Sequence, residues 1–226
     1  MINIASPVIE EEERRAVNEV IESGMLAQGP KVAELEESWA KYCGVKHALA
    51  VNSGTAAIHC ALYAAGVGEG DEVITTPYSF IATINPILML GARPVLVDID
   101  EETFNIDVSK IEAAITDKTK AIIQVDLYGQ PCDWKELREI EDKHELKIIE
   151  DACQAIGAEY DGLKTGALGD FGCFSLYATK NIMCGEGGVV TTNSDDAAAA
   201  IRSFRQHGMT SSYEYADLGY NYRMSD

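Results

Sequence analysis

Seven short apolar runs, rich in β-branched residues and set apart by stretches with helical spacing, constrain this chain more than any other feature. They read "HALAVNS", "DEVITTP", "RPVLVDID", "KAIIQVDLY", "LKIIEDA", "FGCFSLY" and "GGVVTTN". Near-continuous apolar strands offer no face to water, so helices have to cover both sides of the sheet they form. Helical patterns fall between most of the runs, over residues 55–65, 79–90, 108–115, 133–144 and 195–207. Two more, 10–23 and 30–43, precede the first strand. Val32, Leu35 and Trp39 give the second its apolar stripe, and Pro30 suits its first turn. This alternation predicts an α/β fold around a mostly parallel sheet. The final pair, Ser225 and Asp226, reads as the start of a helix that does not follow, which suggests a chain cut before its natural end.

Charge narrows the function classes. Across 226 residues, 18 Lys and Arg stand against 37 Asp and Glu, a net charge of −19. Such a surface repels phosphate backbones and anionic lipid, which argues against nucleic-acid and membrane partners. No run is long enough to span a membrane, and "MINIASPVIEEEERRAV" lacks the basic-then-apolar order of a secretory leader. The six cysteines are scattered, with no C-x-x-C pair and no histidine pattern, so neither a metal site nor a disulfide framework is expected. Cys60, Cys153 and Cys173 sit in apolar runs and read as small buried hydrophobes. A reduced, cytoplasmic protein is the expectation.

In open α/β sheets ligands lie beyond the carboxyl ends of the strands, so the residues just after each run matter most. "VNSGTAAIHCAL" places Ser53, Gly54 and Thr55 at the head of a helix. Free N–H groups, hydroxyls and the positive end of the helix dipole suit a phosphate there; the same residues also serve as an ordinary cap. No G-x-x-x-x-G-K-[ST] loop occurs, and no G-x-G-x-x-G fingerprint follows the first strand, which argues against ATP and NAD. "LKIIEDACQAIGA" ends a strand on Glu150 and Asp151, with Gln154 three residues on. A carboxylate there binds a metal, caps the next helix, or pairs with a protonated ring nitrogen. "FGCFSLYATKNIMCGEGG" carries Ser175, then Lys180, then three glycines. Alone, Lys180 reads as a solvated charge, a phosphate anchor or a covalent catalyst. An anion cradle, a strand-end acid and a lysine together are the parts pyridoxal phosphate needs for its phosphate, ring nitrogen and aldehyde. Phe80, in "TTPYSFIATINP", adds a flat face that can stack on the ring or simply pack in the core.

Taken in order, "NSGTAA", "PYSFIAT", "EDACQAIGA", "GDFGCFSLYATKN", "GEGG" and "GYNYRMSD" resemble the nucleotide-sugar aminotransferases (DegT type), a family of fold-type I pyridoxal-phosphate enzymes. The resemblance runs from "IASPVIEEEERRAVNEVIESG" to "NYRM". It implies a three-layer α/β/α large domain on a seven-stranded sheet, a smaller C-terminal domain absent from these 226 residues, and homodimers with active sites at the interface. On this resemblance Lys180 is the Schiff-base lysine of an FS-x-x-x-x-K motif, and Asp151 the acid paired with the ring nitrogen. Gln154 stands beside the ring hydroxyl. Ser53, Gly54, Thr55 and Ser175 are the phosphate ligands, Phe80 the stacking ring, and Asn221 a residue that reaches the neighbouring subunit's cofactor. Asp126 and Tyr177 depart from the pattern, standing where relatives often carry histidine.

The activity so implied is amino transfer in two halves, from an amino acid (L-glutamate) to a keto sugar, nucleotide-linked, in amino-sugar, cell-surface polysaccharide or antibiotic-sugar synthesis. One alternative within the superfamily is a pyridoxal-phosphate-dependent sugar dehydratase, against which Lys180 argues; another, of a different class, is a pyridoxal-phosphate-binding regulator or an inactive truncated homologue. A dinucleotide oxidoreductase lacks its glycine fingerprint.

Overall fold

Apolar alternation builds the sheet and decides which side each residue faces. The computed structural model describes residues 5–226. Residues 1–4, which begin the stretch read for a leader and include the first residue of the resemblance, lie outside the described residues. The strands are β1 (His47–Val51), β2 (Glu72–Thr75), β3 (Arg93–Leu96), β4 (Thr119–Val125) and β5 (Lys147–Asp151). A small hairpin, β6 (Glu159–Tyr160) and β7 (Leu163–Lys164), precedes β8 (Phe171–Ser175) and β9 (Gly188–Thr192), and a second pairs β10 (Met209–Ser211) with β11 (Glu214–Tyr215). Seven of them form one sheet in the order β1-β9-β8-β5-β4-β2-β3. Only β9 runs against its neighbours; every other pairing is parallel.

Among the described residues seven α-helices accompany the sheet: α1 (Glu11–Ser23), α2 (Pro30–Cys43), α3 (Gly54–Ala64), α4 (Asn85–Met89), α5 (Val108–Ile111), α6 (Trp134–His144) and α7 (Asp195–Phe204). Along β4, Ala121 and Ile123 pack with Ile58 and Leu62 of α3 and Ile201 and Phe204 of α7. Ile122, between them, packs with Ile111 of α5 and Trp134 and Leu137 of α6. A third cluster joins Val32 and Trp39 of α2 to Ala48, Ala50 and Val189, with Trp39 set edge-on to Phe174 at 5.3 Å. The expected three-layer α/β/α arrangement on a seven-stranded, mostly parallel sheet is therefore present. Among the described residues no helix is long and apolar enough to cross a membrane.

Some expectations need correction. Residues 79–90 are not one helix but a 3-10 turn, Ile81–Thr83, followed by α4. Pro86 has no N–H to offer the preceding turn, and its ring crowds that turn. Residues 108–115 divide likewise into α5 and a 3-10 turn, Glu112–Ala114. The run ending "VDLY" stops as a strand at Val125, because Tyr128 turns the chain with φ 55°. The Asp226 carboxylate closes the head of α2, accepting N–H bonds from Gly29 (2.8 Å), Lys31 (3.1 Å) and Val32 (2.9 Å). The helix head it closes lies 195 residues away in sequence.

Two further contacts bring the C-terminal segment back to the sheet. Asn52 donates its N–H to the Tyr222 carbonyl at 2.9 Å, just past β1. Tyr220 and Tyr222 stack at 5.1 Å and pack around the fully buried His59 of α3, whose Nδ1 meets the Tyr222 hydroxyl at 3.0 Å. Burial pushes the His59 imidazole down to about 4, so it is neutral at physiological pH. At the other end of this segment the buried Arg205 donates to the Ala50 carbonyl and to Glu36, and Glu36 also accepts the Ala50 N–H at 2.8 Å.

Burial raises the Asp226 carboxyl, and its three N–H donors outweigh that, leaving it below the ordinary aspartate range. Its contribution is therefore complete above the unfolded-state value and is lost as pH falls through the lowered folded-state value. Asp226→Ala is expected to cost about 1 kcal/mol at neutral pH. Urea unfolding across the acid range checks this: the gap between variant and wild type closes as the medium is acidified.

Candidate active site

The ends of β2, β4, β5 and β8 and the head of α3 open onto one cleft of about 550 Å³. Ser53, Gly54, Thr55, Phe80, Asp151, Gln154, Ser175 and Lys180, all named from sequence, line it together. Asn221 does not. It is exposed, its carbonyl accepts from the Asn52 side chain at 3.3 Å, and it forms a bridge with Gln206.

One end of the cleft is built for an anion. Ser53 caps α3, its Oγ accepting the Ala56 N–H at 3.1 Å. That leaves the hydroxyl proton free, and the first amides of a helix have no intrahelical acceptor. Capping and anion binding are thus compatible here, and the two readings of Ser53 do not compete. Ser175 Oγ likewise accepts from the Tyr177 N–H (3.3 Å) and keeps its own proton to donate. Gly54 makes the juxtaposition possible: a Cβ there would lie 2.9 Å from Ser175 Cβ and 3.1 Å from Cys153 Sγ. Two of the three "GEGG" glycines make room for protein: a Cβ on Gly188 would meet the Ser53 carbonyl oxygen and one on Gly187 the Met224 Cε, each at 2.4 Å, whereas Gly185 faces open space with φ 93°.

The acid sits at the end of β5. Asp151 is 5% exposed, and Thr83 donates its hydroxyl to Oδ2 at 2.6 Å while the Cys153 N–H reaches Oδ1 at 3.3 Å. Ser79 in turn meets the Thr83 hydroxyl at 2.8 Å. This relay fixes the carboxylate and leaves lone pairs for a further donor. Its neighbour Glu150 points to the opposite face and is wholly buried. It accepts the N–H groups of Gly166 (2.7 Å), Leu168 (2.9 Å) and Gly169 (2.8 Å), fastening the turn before β8. Burial pushes the Glu150 carboxyl up to about 7 against the pull of those donors.

Lys180 is half-buried on the loop after β8, its N–H held by the Tyr177 carbonyl at 2.8 Å. It is the one cation among the lining residues, facing Asp151 and Glu186 as the two carboxylates. Gln154 Oε1 accepts the Tyr128 N–H at 3.2 Å, so its amide nitrogen remains available to donate. Phe80, 73% exposed, stands on the wall rather than in the core. Cys153 also borders the cleft, which corrects its reading as a plain core residue, whereas Cys60 and Cys173 are buried. Asp126 lies under the site rather than in it: it is buried, and its N–H donates to the Asp151 carbonyl at 3.1 Å.

Sequence reasoning missed Thr83 and Glu186. Thr83 carries no local signal, because within "SFIATINP" it reads as a helix position; only the break at Pro86 brings it to Asp151. Glu186 was visible inside "GEGG", where its neighbours drew the attention.

Comparison with known proteins gives a consistent result. Residues 7–226 match the DegT/DnrJ/EryC1/StrS aminotransferase family. GDP-perosamine synthase of Caulobacter vibrioides is 47% identical over all of this chain and 62% of its own length. The pleiotropic regulatory protein of Geobacillus stearothermophilus is 47% identical over 94% of this chain and 57% of its own length. Among solved structures, DesV of S. venezuelae superposes with a TM-score of 0.92 at 40% identity, covering 95% of this chain and 58% of DesV. The PLP form of Spr1654 of Streptococcus pneumoniae gives 0.91 at 34% identity, over 97% of this chain and 62% of that one. The chain thus spans 57–62% of the length of these proteins. By this match and by its fold, the chain belongs to the DegT/DnrJ/EryC1/StrS aminotransferase family.

Proposed function

We propose that this chain holds pyridoxal 5'-phosphate in the cleft and serves amino transfer from an amino acid, L-glutamate in the family resemblance, to a nucleotide-linked keto sugar. The observation that carries the reading is the convergence of a fixed, buried carboxylate, one amine and a helix-head anion cradle within a single cleft. The donor set fits the cofactor. The Ser53 and Ser175 hydroxyls and the first amides of α3 suit a phosphate at the end of the cleft they line. When bound, the cofactor supplies an electron sink for a developing negative charge at the substrate's α carbon.

The chain's own residues do the rest. With the cofactor bound, Asp151 would accept the ring N–H in a charge-assisted hydrogen bond, kept aimed by the Thr83 relay. Lys180 would hold the aldehyde carbon, and its amine would move the proton at the substrate's α carbon. Gln154 would donate its amide to the ring hydroxyl, and Phe80 would cover the ring face. Asn221, exposed and outside the cleft, suits a part in a second copy's site, as a homodimer requires. Six free thiols suit a reducing, cytoplasmic setting. The name borne by the Geobacillus relative favours one second reading, a cofactor-binding regulator built on the same site.

Two experiments test this. Pyridoxal phosphate added to the protein is expected to give a visible absorption band, and borohydride treatment with peptide mapping to place its mass on the Lys180 peptide. Lys180→Ala then takes no label; label on another lysine, or none on folded protein, refutes the assignment. Thr83→Val is expected to raise the pyridoxal phosphate dissociation constant roughly tenfold, the loss of one hydrogen bond to a charged group at about 1.5 kcal/mol. An unchanged constant removes Thr83 from the site.

A further inference from the structure

On the face of the sheet away from the cleft lies a row of polar side chains that the cofactor chemistry does not use. Gln124, Asp126 and Glu150 are all fully buried. Gln124 stands opposite Glu150 in the register of β4 and β5, next to the Ile122 and Ile148 pair that packs with Trp134 and Leu137. Asp126 follows one residue past β4, its N–H tied to the Asp151 carbonyl. Hydrogen bonds are unevenly shared among the three. Glu150 meets three N–H donors, whereas the Asp126 side chain meets one, from Cys132 to Oδ1 at 3.2 Å. Asp126 Oδ2 and both amide atoms of Gln124 have no partner among the described residues.

The donor sets separate the two acids. Glu150 is furnished as an anion, since three donors converge on it. An ionised Asp126 would place a second buried charge beside it, held by a single neutral donor, and such a charge is costly. The charged groups nearby do not relieve it. Glu150 and Asp151 of β5 are acidic, as is Asp133 at the head of α6. Arg138 of α6 is exposed and donates to the Leu168 carbonyl at 3.1 Å. Burial and the Glu150 charge push the Asp126 carboxyl well above the ordinary aspartate range. A proton on Oδ2 turns that orphan acceptor into a donor, and the unused Gln124 side-chain oxygen two residues back supplies the acceptor it needs.

Asp126 is also the root of a loop that borders the cleft. Its carbonyl accepts the Gly129 N–H at 3.4 Å, and its Oδ1 the Cys132 N–H. The buried Asn105 braces the same loop, accepting the Leu127 N–H at 3.0 Å and donating to the Gln130 carbonyl at 2.8 Å. Between these anchors Tyr128 holds φ 55° and offers its N–H to Gln154. The orientation of Gln154 therefore depends on a loop rooted in Asp126.

We propose that Asp126 is a positioning residue that works as a neutral acid: its Oδ2 carries a proton and donates a hydrogen bond to Gln124, while its Oδ1 holds the loop that presents Gln154 to the cofactor. The positioning role rests on the proposed function; the proton does not.

Infrared difference spectra of wild type against Asp126→Asn at neutral pH, without added cofactor, test the proton. A protonated-carboxyl C=O band is expected to be lost in the variant; loss of a carboxylate band instead overturns the proposal. Urea unfolding gives a second reading. A group whose folded-state value is raised keeps its proton in the native protein after the unfolded chain has released it, so native stability falls as pH rises between the two values. From about pH 5 to about pH 7 the unfolding constant of wild type relative to Asp126→Asn is expected to rise about ten-fold per pH unit. A flat ratio overturns the proposal, and so does an Asn variant that does not fold, because Asn is the isostere of the neutral acid. For the loop, the pyridoxal phosphate dissociation constant of Asp126→Asn is expected within about two-fold of wild type. That of Asp126→Ala (Asp126→Val if the alanine variant does not fold) should rise about five-fold or more, for loss of the acceptor of the Cys132 N–H. Equal constants in all three proteins overturn the positioning role. No pyridoxal phosphate binding by wild type removes the proposed function and the positioning role together, and the infrared band still decides the proton.

Discussion

The close approach between the head of α3 and the ends of β8 and β9 sets the geometry on which the site depends. Gly54 meets Ser175 and Gly188 meets Ser53 at separations that no side-chain carbon could occupy. Three segments distant in sequence are locked together there without any charged group. The result is a helix head whose donors face the strand that leads to Lys180. Because packed interiors adjust little, a small outward shift of either strand would carry the amine away from the cradle.

Glu150 and Asp151 show how one peptide unit can separate two roles. Consecutive strand residues face opposite sides of the sheet. Asp151 therefore enters the cleft, where a hydroxyl and one amide hold it in place with acceptor capacity to spare. Glu150 enters the interior and spends its oxygens on three amides of the turn before β8. One carboxylate is left for chemistry, while the other positions the strand that carries Ser175. A one-residue slip of β5 would exchange them.

The fold was legible because its signal is repetitive: all seven runs became strands of one sheet, and α2, α3 and α6 lie within a residue of their expected bounds. Eight of the nine residues named for the site meet in one cleft, since ligands gather at strand ends and those ends could be located by eye. What stayed hidden was relational. The hydroxyl that aims Asp151 comes from a segment that looked like plain helix until Pro86 divided it. Asp226 also closes a helix at the other end of the sequence, a contact that no local pattern carries. Neither the "GEGG" spacing nor its composition could say that Gly188 yields to a backbone carbonyl rather than to a ligand.

The contact of Glu36 and Arg205 with Ala50 has a meaning that belongs to the sheet's border. β1 is an outermost strand, and such a strand offers unpaired amides to any other extended chain. Here the Ala50 N–H and C=O are already taken by the half-buried Glu36 carboxylate and the buried Arg205 guanidinium. Two side chains stand where a further strand would dock, so the sheet is closed on this side by chemistry rather than by a covering layer. At the opposite border, Pro94 in β3 lacks the N–H that a newcomer would need. A sheet this apolar, in a protein that must persist at cellular concentration, is thereby stopped from templating its own growth at both margins.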